Sequence, residues 1–188
     1  MSQSVNIPLP EWLPGELSSV SVLVTDEAKM DFVLRLARRN IESNGGPFAA
    51  MVVDEAGTVV AAGLNRVVAS STPIAHAEIV AIAAAGQALA TWDLASAGSL
   101  TLVTSTEPCA MCLGAVPWSG VSRMIIGARD EDARAAGFDE GNKPADWIEH
   151  LDCIGIAVVR DVRRSEAAAV LSDYAAQGGP IYNGAKDA

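Results

Sequence analysis

One amphipathic helix, one hairpin and then an alternation of helical and extended runs leave this chain few folds to choose from. The helix begins at Thr25. Met30, Val33, Leu34, Ala37 and Ile41 form its apolar stripe, with Asp31, Arg35, Arg38 and Glu42 opposite, and "NGGP" at 44–47 stops it. "FAAMVV" and "TVVAAGLNRVV", joined by "DEAG", read as a hairpin. "HAEIVAIAAAGQALA" from His76 is an alanine-rich helix, "SLTLVTS" a strand of the fully buried type, and "PCAMCLGAVPWSG" the opening of a short helix. "VSRMIIGA" is a further strand, and an irregular or helical stretch follows to about His150. "GIAVVRD" then reads as a strand and "RSEAAAVLSDYAAQ" as a helix. This order predicts an α/β sandwich, one mixed sheet with helices on both faces. The 188 residues are half apolar, with no internal repeat and no low-complexity linker, so a single domain over 25–188 is expected. Residues 1–24, with Pro8, Pro10 and Pro14, read as an irregular arm before it.

Two of the helix starts carry chemistry. The chain has three cysteines, and two of them, Cys109 and Cys112, stand three apart directly after Pro108. The N-terminus shows neither a basic n-region nor a continuous apolar core, so no secretory signal is expected. A reducing cytoplasm follows, where a structural disulfide is rare and a metal site or a redox pair remains. Proline favours the first helical turn, so Pro108 is expected to open a helix with both cysteines in its first turn or so. There the free N–H groups and the helix dipole favour thiolates.

His76-Ala77-Glu78 also stands at a helix start. His76, Cys109 and Cys112 can supply three ligands to one zinc and leave a fourth tetrahedral position for water, the arrangement of a catalytic site. Glu78 can then sit beside that water without binding the metal. A zinc that only staples two helices needs a fourth protein ligand, and His150 and Cys153 are the remaining candidates. Cys153 reads as a buried thiol and His150 as a surface residue.

The formal net charge is −10, and no Lys/Arg stripe offsets it. Such a surface repels phosphate backbones and anionic lipid, so neither nucleic acid nor membrane is expected as a partner. No apolar run reaches the length of a membrane span. A small, uncharged or weakly charged ligand fits better.

His-x-Glu followed by Pro-Cys-x-x-Cys is the signature of zinc deaminases. From Gly45 to Tyr182 the sequence resembles the cytidine deaminase-like superfamily, and within it the bacterial guanine deaminase branch. "GGPFAA", "HAEIVA", "EPCAMCLGAVPW" and "AGFDEG" at 136–141 carry the resemblance. It implies a three-layer α/β/α sandwich with a central five-stranded mixed sheet, zinc on His76, Cys109 and Cys112, and Glu78 as proton shuttle. It further implies Asn65 as a hydrogen-bond partner of the base, with Phe48 and Trp118 shaping an aromatic slot. Asn65 equally suits a turn after a strand, and Phe48 and Trp118 equally suit a core. "FDEG" offers Asp139 and Glu140, with Glu140 facing the substrate by resemblance; an exposed acidic loop is the plain alternative. Tyr182, after Gly178-Gly179-Pro180, resembles the aromatic that closes the pocket.

The implied reaction is hydrolytic deamination of guanine to xanthine and ammonia by a cytoplasmic homodimer. Guanosine and an aminotriazine such as ammeline stay open as substrates. tRNA adenosine editors share the motifs but need a basic face, which this chain lacks. A non-catalytic zinc module has no use for Glu78, and a thiol redox protein leaves His76 and Glu78 unexplained.

Overall fold

The computed structural model describes residues 5–183. Five strands form one mixed sheet in the order β2-β1-β3-β4-β5. β1 (Ala49–Val53) pairs antiparallel with β2 (Val59–Leu64) and with β3 (Thr101–Thr106). β3, β4 (Arg123–Ala128) and β5 (Ala157–Val159) run parallel. Parallel neighbours need crossover connections. α5 (Ala110–Ser119) lies between β3 and β4, and α7 (Trp147–Cys153) between β4 and β5.

Side chains alternate along each strand, and the core divides accordingly. Met51, Val53, Val103 and Ile125 face α2 (Asp26–Glu42) and α8 (Arg164–Ala176). Ala50, Val52, Leu102, Met124 and Ile126 face α4 (Ala77–Leu89), α5 and α7. Three layers result, α/β/α. The stripe expected of α2 is buried at Met30, Val33, Leu34 and Ala37. Its start is fixed by the Thr25 side chain, which accepts from the Ala28 N–H at 3.1 Å, with Asp26 and Glu27 in the positive first turn.

The arm is more regular than its prolines suggested. It contains α1 (Leu13–Ser18), because Pro14 stands in the first turn, where a missing N–H is harmless. α1 is tied down by buried Leu13, by the Trp12 Nε1–H donating to Ser43 Oγ at 2.8 Å, and by Glu16 facing Arg35 and Arg39. α7 extends past His150 to Cys153, whose thiol is exposed rather than buried, because the core face of this short helix is already taken by Trp147 and Leu151. α3 (Val67–Ser70) and α6 (Asp130–Ala135) complete the described elements named here.

The register gathers the chemistry at one edge. Ala49 pairs with Leu64, Ala50 with Thr104 and Thr106 with Ala128, so the start of β1 and the ends of β2, β3 and β4 lie together. Ligand sites of α/β sheets lie outside the carboxyl ends of such parallel strands.

Candidate active site

His76 and Cys109 are the N-caps of α4 and α5, both with extended backbone (ψ 152° and 168°). The α5 helix therefore starts one step later than expected: Pro108 precedes the cap, Cys109 is the cap, and Cys112 is the third helical residue. His76 Nδ1 lies 3.4 Å from Cys109 Sγ, and the donor atoms of His76, Cys109 and Cys112 all lie within 4.8 Å of one another. Ligands about 2.1 and 2.3 Å from a tetrahedral zinc stand about 3.6 Å apart, so the cluster is close to the size one ion requires.

The three groups of this cluster shift one another's titration. The Cys112 thiol, and after it His76, pull Cys109 down to about 4 against its burial. Cys112 is pushed up, first by its hydrogen bond to Cys109 and then by burial. Burial lowers His76, but hydrogen bonding to Cys109 and its charge win and raise it. Two sulfurs and one imidazole thus stand within reach of a single ion, and this donor set fits zinc, a divalent cation of intermediate softness.

Glu78, the second residue of α4, is buried, and burial followed by the charge of Cys109 raises its carboxyl above the usual range. Glu140 is buried too and is pushed up to about 8 by burial, by Cys109 and by Glu78. Glu78 and Glu140 share one buried enclosure with Cys109, so the three cannot all ionise freely.

The enclosure is a chamber of about 40 Å³. Asn65, His76, Glu78, Cys109 and Glu140 line it, with an aromatic wall of Phe48, Phe138 and Tyr182. The Phe48 and Phe138 rings meet edge-to-face at 4.9 Å, and Phe138 meets Tyr182 at 5.4 Å. Two hydroxyls buried at the chamber, Thr106 Oγ1 and that of Tyr182, have no hydrogen-bond partner among the described residues. Buried polar groups are normally satisfied, so orphans here point to a polar ligand. A wider cavity of about 670 Å³ shares His76, Cys109, Asp139, Glu140 and Tyr182 and reaches outward past Thr72 and Pro73.

"NGGP" gains a second meaning in this setting. A Cβ on Gly46 would collide with the Tyr182 hydroxyl, and one on Gly45 would collide with the Asn40 carboxamide. Asn40, fully buried, donates through Nδ2 to the carbonyls of Gly46 and Asn65, both at 2.9 Å, and accepts from Arg66 Nη1 at 3.0 Å.

Of the residues singled out in the sequence, Phe48, Asn65, His76, Glu78, Cys109, Asp139, Glu140 and Tyr182 line the chamber, and Cys112 lies beside it in the donor cluster. Trp118 does not join them. It stands near the end of α5, 87 % exposed, and lines neither cavity, because the helix rotates its last turn away from the strand edge. Phe138, not among the expected site residues, also lines the chamber; its signal in the sequence is its place in "AGFDEG", directly before Asp139.

The family of the cytidine and deoxycytidylate deaminase zinc-binding region matches residues 23–128. The guanine deaminase of Bacillus subtilis (strain 168) is 41 % identical over 108 residues, 54 % of this chain and 67 % of that protein. The structure of a guanine deaminase from Nitrosomonas europaea superposes with a TM-score of 0.89 at 44 % identity, covering 94 % of this chain and 98 % of that one. A structure solved in complex with 8-azaguanine superposes with a TM-score of 0.90, also at 44 % identity, covering 94 % and 99 %.

Proposed function

This chain belongs to the family of the cytidine and deoxycytidylate deaminase zinc-binding region, and from that premise we propose that it hydrolyses guanine to xanthine and ammonia. A buried carboxyl, Glu78, in the same closed chamber as His76 and Cys109 of the donor cluster carries the reading. His76, Cys109 and Cys112 would hold zinc, which when bound would supply Lewis acidity toward water.

Glu78 takes a proton from the attacking water and returns it to the ring or to the leaving nitrogen, so that water and guanine balance as xanthine and ammonia. Its raised affinity for a proton suits both halves of that shuttle. Asn65 and Glu140 face the hydrogen-bonding edge of the base, where guanine presents N–H donors. Phe48, Phe138 and Tyr182 confine the flat ring, and Tyr182 excludes bulk water. The wider outer cavity gives room for a ribosyl group, so guanosine is the second reading.

The catalytic unit is 25–188, with 1–24 as an N-terminal arm. The setting is purine metabolism in the cytoplasm; no described helix is long and apolar enough to cross a membrane. The active form is a homodimer. Ammonia release from guanine, guanosine, ammeline, cytosine and adenine, measured in parallel, tests the substrate assignment. Guanine is expected to be fastest, and release from cytosine alone would overturn the reading.

A further inference from the structure

Glu107 stands between the end of β3 and Cys109, and both of its carboxylate oxygens are engaged although the residue is only 4 % exposed. Oε2 accepts from Arg160 Nη2 at 2.6 Å, and Oε1 accepts from Lys143 Nζ at 2.8 Å. Lys143 is itself buried along its side chain. Its ammonium also donates to the Pro108 carbonyl at 3.0 Å and faces Asp130 Oδ1 at 2.7 Å. All three of its donors are therefore used, two of them on the two residues that precede Cys109.

Lys143 follows Glu140 by three residues in a segment with no helix or strand of its own. That segment has other ties to the cysteine helix and to α6. The Ala110 N–H donates to the Glu140 carbonyl at 2.9 Å, and Arg134 Nη2 donates to the Gly141 carbonyl at 2.6 Å. Gly141, at φ +72°, lies so near α5 that a Cβ there would come within 2.9 Å of Ala110 Cβ. Lys143 is where the segment gains a buried charge anchor, and that anchor is fixed to the peptide leading into Cys109.

We propose that Lys143 is a positioning residue: its ion pair with Glu107 and its hydrogen bond to Pro108 fix the distance between the Glu140 carboxyl and the cysteine ligands. The inference rests on the reading of Glu140 as a substrate-facing group. A displacement of 1 Å in such a group lowers turnover by roughly 10²-fold.

The test combines amide hydrogen exchange with a double-mutant cycle on the zinc-loaded protein. Lys143→Met is expected to retain zinc and to speed exchange over 139–143 at least tenfold relative to β3 and β4, where a general loss of stability would speed both alike. Its kcat for guanine is expected to fall by roughly 10–10²-fold, and Glu140→Gln/Lys143→Met is expected to fall no further than Glu140→Gln alone. Unchanged exchange over 139–143, or losses that multiply in the double variant, would overturn the proposal. Full activity in Glu140→Gln would instead overturn the reading of Glu140, leaving exchange to decide what Lys143 does. Should Lys143→Met not fold, Glu107→Gln removes the charge pair and keeps the side chain's shape. Faster exchange confined to 139–143 then supports the anchor, and unchanged exchange refutes it.

Discussion

Gly63→Ala probes how tightly the fold itself sets the metal site. Gly63 lies in β2, buried against α4, and a Cβ there would sit under 3.0 Å from the Ala77 carbonyl oxygen and Ala81 N and 2.9 Å from Ala81 Cα, where ordinary contact begins at 3.4 Å. These are backbone atoms, so no side chain can swing away. Gly63 has no positive φ, so the penalty is purely steric. α4 has to retreat by about 1 Å to restore ordinary contact, and overpacking of that kind costs about 1–3 kcal/mol. For a chain of this length the loss is about 3–10 °C in Tm. Ala77 follows His76 directly, so the retreat moves a metal ligand. A misplacement of about 1 Å lowers the rate by roughly 10²-fold. Calorimetry of the zinc-loaded protein, metal analysis and guanine turnover read the three effects. Gly15→Ala, in α1 with nothing within 4 Å of the added Cβ, is the control and should gain up to about 1 kcal/mol. A Gly63→Ala protein with unchanged Tm and unchanged turnover would refute the claim that backbone approach at Gly63 sets the position of His76.

Thiol titration gives a second expectation: the zinc-loaded protein offers exposed Cys153 alone, and chelation adds Cys109, whose thiolate persists near neutral pH. A fully reactive Cys109 before chelation would argue against its being a ligand. In the zinc-free protein Glu140, raised to about 8 chiefly by burial, binds its proton more tightly folded than unfolded. The stability this contributes is complete below the unfolded value near pH 4.5 and is lost as pH rises to about 8. Denaturant midpoints should fall over that interval and flatten in Glu140→Gln; an identical profile in the variant would show that another group titrates. Tyr182→Phe removes an unpartnered buried hydroxyl, so Tm should hold or rise while KM for guanine increases several-fold, by about 0.5–1.5 kcal/mol of lost hydrogen bonding. Unchanged KM would place the hydroxyl outside substrate contact.

The sequence made some of this architecture legible and hid the rest for physical reasons. β1 to β4 and α2, α4, α5 and α8 announced themselves through period and apolar runs, which are local properties. His76 and the two cysteines were legible because His-x-Glu and Pro-Cys-x-x-Cys are short local patterns, each at the onset of a helical run. α1 was missed because three prolines in twenty residues read as irregularity, whereas one of them sits where a helix tolerates it. The exposure of Trp118 and of Cys153 depends on the rotation and docking of α5 and α7, which no local pattern reports. Phe138 joins the aromatic wall through contacts with Phe48 and Tyr182, each distant in sequence. The Glu107–Lys143 pair spans 36 positions, and a lone glutamate and a lone lysine carry no signal until the sheet edge brings them together.

Glu78 moves the proton in a chamber that borders the zinc ligands His76, Cys109 and Cys112. Conversion of guanine to xanthine by the zinc-loaded protein, followed beside Glu78→Gln at matched zinc content, tests this role most directly. Sustained turnover is expected in the natural sequence, with a loss of roughly 10²–10⁴-fold in Glu78→Gln with zinc retained. Equal turnover by the two proteins, or none from the natural sequence with one zinc bound per chain, would contradict it.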